Sequence, residues 1–348
     1  MSDAVIFSTS AAGLGKMNEI RLCMPDKIWR IPYLPDTLEN RVQADVSELT
    51  PELGLGIDAG GTQTRWALAN SQQQIVANGT AAGMSALQLE HEQGELTLRH
   101  LLSALAATAA SHGRVGHIRA GITGYGGDMQ ALPALIAEIF ELPETAISIS
   151  NDITIAYQDI FKPGEGYLIY AGTGSIAAYI DQDGEFHRAG GRGFLLDDGG
   201  GGFWIAREAL RAIWRQEDLA PGSWQTSVLA QQMFQMMGGS DWDSNRSFIY
   251  QLNRGEIGKL ALAVARAANN QDLQAQSILR QAGEELARLG LAMCQRFGVK
   301  PIALGGRVQD LHPLIVESLR ATLPATISFR QSTCRAHFSA ARLAARSL

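Results

Sequence analysis

The stretch Gly54–Leu68, GLGIDAGGTQTRWAL, places a carboxylate just ahead of a glycine pair. Leu55 and Ile57 suit a buried strand that delivers Asp58 to its end. Gly60, Gly61 and Thr62 follow, and Trp66-Ala67-Leu68 starts a second apolar run. A glycine turn exposes backbone N–H groups as a nest for an anion and lets a ligand approach closely. A carboxylate at the strand end can hold a hydrated Mg²⁺, an ion that keeps most of its waters. The same residues also fit an ordinary hairpin with a polar tip. Gly54-x-Gly56 invites a dinucleotide reading, but that fingerprint opens a helix, and a strand-like run follows here. The stretch has a second copy. Ile169–Ser175, IYAGTGS, leads into Ile176–Ile180. With Ile57 laid on Ile169, Ala59 falls on Ala171, Gly60 on Gly172 and Leu68 on Ile180. Two such turns could grip one polyphosphate from both sides.

Other acids sit where chemistry is possible. Asp152 closes the strand-like Ile147-Ser148-Ile149 and precedes a helical Ile153–Tyr157. There it can take a proton from an attacking hydroxyl, cap the helix, or do both. Asp197 and Asp198 lie in the glycine-rich run Gly190–Gly202, where the plain alternative is a solvated loop. Gly305-Gly306 ends an apolar run and also fits a simple strand-to-helix turn.

The elements that must position these residues repeat. The first half reads as strands at 55–58, 66–68, 74–77, 117–122 and 147–149. Helices are expected at about Glu90–His112 and Met129–Phe140. The second half reads as strands at Tyr167–Tyr170, Ile176–Ile180, Glu185–Arg188, Pro301–Leu304 and Ala325–Phe329. Its helices are expected at about 203–214, 223–237, 256–269, 272–297, 311–322 and 335–346. A duplicated strand–turn–strand unit with helices between strands implies two α/β halves with mixed sheets facing one ligand. Residues 1–50 lack a clear period, and Pro32 and Pro35 block a helix. They read as an extended arm or a loosely attached segment.

Composition narrows the class. The chain has 348 residues, 46% hydrophobic and 18% charged, and a net charge of -6. This suits about two globular domains and offers no basic surplus for nucleic acid or an anionic membrane. No run of apolar residues is long enough to span a bilayer, and the start does not read as a secretory signal. The three cysteines are widely spaced, which points to a reducing, cytoplasmic setting and away from a cysteine metal site.

DAGGT at 58–62, SND at 150–152, AGTGS at 171–175, GGRGFLLDDGGGGFWI at 190–205 and LGGRV at 304–308 occur in the order seen in N-acetylglucosamine kinases. Over about 51–348 the chain resembles these enzymes and the BadF/BadG/BcrA/BcrD ATPases, within the sugar kinase, Hsp70 and actin superfamily. The resemblance implies two ribonuclease-H-like (actin-like ATPase) domains around a cleft, one of residues 51–165 plus 333–348 and one of 166–332. Residues 1–50 would form an extension. It implies ATP and Mg²⁺ as cofactors and an amino sugar phosphorylated at a hydroxyl, N-acetylglucosamine or glucosamine at the 6-position. A homodimer is expected. Gly60, Gly61 and Thr62 would cradle the β- and γ-phosphates, with Asp58 directing Mg²⁺ through water. Gly172, Thr173, Gly174 and Ser175 would form the opposing turn, and Gly305 and Gly306 would receive the adenosine. Asp152 matches the family's base. Asp198 matches its sugar-holding aspartate, and Ser85, Gly126, Gly127 and Asp128 match its acceptor loops.

Two departures stand out. The family's Gly-Asp-Glu-Gly-Ser pattern here reads Asp197-Asp198-Gly199-Gly200-Gly201, which implies a more mobile loop or a different ligand. Where the family carries a sugar-holding asparagine, this chain offers Ser85 and Ala86. Other readings are therefore an ATPase that activates a partner enzyme, or a weakly catalytic sugar or nucleotide sensor. The activators hold an iron–sulfur cluster with mid-chain cysteines, and this chain has none between Cys23 and Cys294.

Overall fold

The structure is a computed structural model and describes residues 19–24, 27–32, 51–126 and 129–348. The described residues fall into two units, divided between Pro51 and Glu52. In the first, β1 (Glu19–Met24) and β2 (Lys27–Pro32) pair antiparallel, with Leu22 opposite Trp29. The second carries everything else.

Two five-stranded sheets of the same winding dominate the second unit. In one, β3 (Glu52–Ala59), β4 (Gln63–Ala69), β5 (Ile75–Ala82), β6 (Arg114–Ile122) and β7 (Ile147–Ser150) lie in the order β5-β4-β3-β6-β7. In the other, β8 (Tyr167–Ala171), β9 (Ser175–Ile180), β10 (Phe186–Gly190), β11 (Ile302–Gly305) and β12 (Phe329–Gln331) lie in the order β10-β9-β8-β11-β12. Each sheet pairs its first three strands antiparallel and the remaining two parallel to the first. Central strands such as β3 are buried on both faces, which is why they read as nearly continuous apolar runs.

The helices are α1 (Glu92–Ala110), α2 (Ala131–Phe140), α3 (Asp152–Ile160), α4 (Gly202–Leu219), α5 (Val228–Met237), α6 (Trp242–Gln251), α7 (Arg254–Gly258), α8 (Ala261–Asn269), α9 (Leu273–Phe297), α10 (Pro313–Thr322) and α11 (Ala336–Ala345). α1 and α2 pack the first sheet through Leu98, Leu102, Leu132 and Ile136. The second sheet is covered by α4 to α10 in a larger core. α11 returns to the first sheet. Its alanines recur one turn apart, at Ala336, Ala340 and Ala344 and again at Ala341 and Ala345, and leave a thin face. A Cβ on Gly54 or Gly56 would run into the α11 backbone at Ala345 or Ala341. The Gly-x-Gly of β3 therefore serves close helix–strand packing.

Local expectations needed correction in four places. The helix expected at 223–237 is a 3₁₀ turn at Ser223–Gln225 followed by α5, which Ser227 caps by accepting from the Ala230 N–H at 3.2 Å. The helix expected at 256–269 is split into α7 and α8. α6 was not foreseen, because WDSNRSFIYQ is polar on most sides; Asp241 caps it at 2.9 Å from the Ser244 N–H. The last strand lies at 329–331 because Pro324–Ile327 closes a turn at 3.0 Å.

Candidate active site

Both glycine turns open onto one cleft of about 770 Å³. β3 delivers Asp58 to it and β8 delivers Tyr170, one residue before Ala59 and Ala171 respectively. The turn at Gly60 closes with its N–H donating to the Gln63 carbonyl at 3.1 Å, and the turn at Gly172 with its N–H donating to the Gly174 carbonyl at 2.9 Å. A side chain on Gly61 or Gly172 would meet nothing of the protein within 4 Å. Neither glycine has a positive φ. What these positions require is open space toward the cleft, not an unusual backbone. Gly60, Thr62, Thr173, Gly174 and Ser175 line the same cleft. The Ser175 hydroxyl is already committed, donating to the Gly199 carbonyl at 2.6 Å.

Asp152 also lines the cleft, as the first residue of α3. Asn151 does the capping, its side chain accepting from the Thr154 N–H at 2.7 Å and the Thr154 hydroxyl at 2.8 Å. Asp152 accepts from the neighbouring Ile153 N–H at 3.1 Å, and the Thr123 side chain favours its charged form. The cap and the cleft-facing carboxylate are thus adjacent residues. Burial raises the Asp152 pKa, against the pull of those groups and the Arg254 charge. Asp58 is pushed up to about 6, first by burial and then by the charge of Asp152, while Arg65 opposes the shift. Arg65 stands opposite Asp58 in the β3–β4 register. The Tyr170 phenol is raised by burial and by the Asp58 charge, so it stays neutral.

The glycine-rich connection between β10 and α4 is pinned. Asp198, 4% exposed, adopts φ 60° and lies against Gly174, where any side chain would collide with its carboxylate. Burial raises its pKa and Arg254 opposes the rise. Arg288 of α9 holds Asp197 at 3.2 Å and Glu285 at 2.8 Å. A side chain at Gly199 would meet the Glu285 carboxylate at 2.8 Å. Glu285 therefore fills the space beside position 199, where the resemblance led one to expect a glutamate. The expectation of a more mobile loop does not fit these contacts.

At the other end of the cleft, Gly306 has φ 89° and abuts Ala171, leaving no room for a side chain. Gly305 is buried within β11 and does not line the cleft. Gln309 joins this end, donating to the Ser332 carbonyl at 2.8 Å. Ser85 and Gly126 also lie off the cleft wall. The Ser85 hydroxyl caps the 3₁₀ turn Ala86–Glu90 and donates to the Thr123 carbonyl at 3.2 Å, so it supports a cleft residue from behind. Gly127 and Asp128 lie outside the described residues. Sequence reasoning missed Arg65, Thr123, Arg254 and Gln309. Arg65 was recoverable, because strand alternation puts it beside Asp58 across the hairpin; Arg254 carried no local signal.

Two sheets of identical winding that share one glycine-lined cleft define the actin-like ATPase fold. Over residues 55–322 the chain matches the BadF/BadG/BcrA/BcrD ATPase family, and it belongs to that family. It is 28% identical over 142 residues to an N-acetylmuramic acid/N-acetylglucosamine kinase of Clostridium acetobutylicum, covering 40% of this chain and 45% of the relative. It is 27% identical over 198 residues to an N-acetyl-D-glucosamine kinase of Dictyostelium discoideum, covering 53% and 61%. These matches span about half the length of the two relatives. A crystal structure of a candidate N-acetylglucosamine kinase from Chromobacterium violaceum superposes with a TM-score of 0.63 at 23% identity, covering 85% of this chain and 99% of that one. No helix among the described residues is long and apolar enough to cross a membrane.

Proposed function

We propose that this cleft transfers the γ-phosphate of ATP to a hydroxyl of an amino sugar of the N-acetylglucosamine type, at the 6-position. The observation that carries the reading is the pair of glycine turns, each open toward one cleft, with Asp58 and Asp152 both facing it. The relatives named above act, by their names, on N-acetylglucosamine and N-acetylmuramic acid.

Gly60–Thr62 and Gly172–Ser175 offer backbone N–H groups to the phosphates from opposite sides. The Gly306 end receives the nucleoside. Asp58 suits a cation: it is an acid held near 6 by burial beside a second buried acid, with only Arg65 to offset the charge. Mg²⁺ keeps most of its waters, so one carboxylate such as Asp58 would hold it through water. When bound, Mg²⁺ neutralises charge on the β- and γ-phosphates. Asp152 accepts the proton of the attacking hydroxyl, and the burial that raises its pKa makes it a stronger base. The acceptor oxygen bonds to the γ-phosphorus, the bond to the bridging oxygen breaks, and ADP leaves. Asp198 would hold the acceptor from the second half. Residues 51–165 plus 333–348 would close on 166–332 to keep water from the γ-phosphate.

A coupled ADP-release screen of amino sugars and neutral hexoses tests the reading. ADP should appear with an amino sugar and only slowly without one. Fast hydrolysis without sugar, unchanged by any acceptor, would replace this reading with that of a partner-activating ATPase.

A further inference from the structure

Phosphoryl transfer needs positive charge where the γ-phosphate crosses to the acceptor. Among the described residues lining the cleft, the cations are Arg65, Arg254 and Arg307. Arg65 is placed beside Asp58 by the β3–β4 register. Arg307 starts the 3₁₀ turn behind Gly306, at the nucleoside end. Arg254 is different. It begins α7, in the second half of the fold, yet the next residue reaches across the cleft: a side chain on Gly255 would meet the Thr62 hydroxyl of the first glycine turn at 3.0 Å. The segment is held rigidly, because Asn253 accepts from the Gly255 N–H at 2.9 Å and the Glu256 N–H at 3.1 Å, and Glu256 reaches back to the Asn253 N–H at 3.2 Å. The Arg254 charge acts on both Asp152 and Asp198. It forms no ion pair with any described residue. It is thus an exposed, uncommitted guanidinium on the cleft wall, one residue from the segment that meets the first phosphate turn.

We propose that Arg254 is a catalytic residue that binds the phosphoryl group in transit, supplying from the second half of the fold the charge that Asp152 and Asp58 cannot. The inference rests on the phosphotransferase reading. A planar guanidinium presents paired donors to two phosphoryl oxygens, and a donor that engages only developing charge changes turnover more than affinity.

The test uses the full chain, with Arg254→Gln and Arg254→Lys beside the wild type. Turnover is read at saturating ATP and acceptor, Mg·ATP affinity by calorimetry, and folding by melting temperature. Arg254→Gln should melt like the wild type, bind Mg·ATP nearly as well, and turn over about 10²–10³-fold more slowly, the range for losing one oxyanion donor. Arg254→Lys should recover part of the loss, since it restores the charge without the fork. Turnover of Arg254→Gln within about threefold of the wild type overturns the inference, as does a loss confined to Mg·ATP affinity. A wild type that phosphorylates no acceptor sinks the underlying reading instead. Transfer to water then becomes the readout for Arg254, and equal hydrolysis by wild type and Arg254→Gln overturns the inference there too.

Discussion

The strand–turn–strand unit β3–β4 presents Asp58 to the cleft, and β8–β9 presents Tyr170 at the matching place. The two units share strand order, pairing and an open glycine turn. They differ in the one side chain aimed at the ligand. One half brings a carboxylate that burial strains toward protonation, the other a phenol that burial and the Asp58 charge keep neutral. Two charged ends would face each other across a partly dry cleft without compensation. The duplicated backbone thus supplies a symmetric grip, while the chemistry is confined to one side. The coverings differ as well. Gly56 of β3 and Leu168 of β8 hold equivalent positions; Gly56 admits the α11 backbone, while Leu168 fills the larger core of the second half. α3, which follows the first sheet, sends Tyr157 into that second core, where its hydroxyl donates to the Gly166 carbonyl at 3.0 Å. α11, which follows the second sheet, packs on the first.

The largest effect expected is on Asp152→Asn. Turnover should fall about 10²–10⁴-fold with Mg·ATP affinity and melting temperature nearly unchanged, because Asn151 carries the helix cap. Asn151→Ala should do the reverse, losing about 1 kcal/mol of stability and keeping turnover in the folded fraction. If the two variants exchanged these behaviours, the division of labour between neighbouring residues would be wrong. The contrast between coverings is broken next. Gly56→Ala should cost about 1–3 kcal/mol in urea unfolding, as overpacking against a backbone does. A neutral result would mean that α11 does not sit as closely as described.

The smallest effect is a pH dependence. Burial pushes the His337 imidazole of α11 down to about 4 from 6.5, with Arg65 and Arg335 adding to the shift and Asp159 opposing it. The unfolded chain takes up that proton near 6.5 and the folded chain only near 4, so stability drops as pH falls through that window. The melting temperature of the wild type should decline more steeply between pH 6.5 and 4 than that of His337→Gln. Parallel slopes would remove His337 from the acid sensitivity.

The sequence showed the sheets and the glycine turns because central strands buried on both faces leave unbroken apolar runs, and because the duplication repeats its spacing residue for residue. Asp58 and Asp152 were legible as strand-end acids. Which neighbour caps α3 was not, since Asn151 and Asp152 are equally good caps and only the backbone decides. Arg254 stayed hidden because its place depends on a long-range approach between Gly255 and Thr62, which no local pattern records. Gly199 read as a loss from the motif, yet Glu285, some 86 residues along the chain, occupies the space beside it.

The central claim is that two like halves with unlike chemistry hold a single nucleotide between them, and calorimetric titration with Mg·ATP tests it most directly. The account predicts one binding event per chain, abolished by Gly61→Val and equally by Gly172→Val, because each substitution fills space that is now open toward the cleft while leaving both sheets intact. Two binding events per chain, each lost to only one of the substitutions, would contradict it.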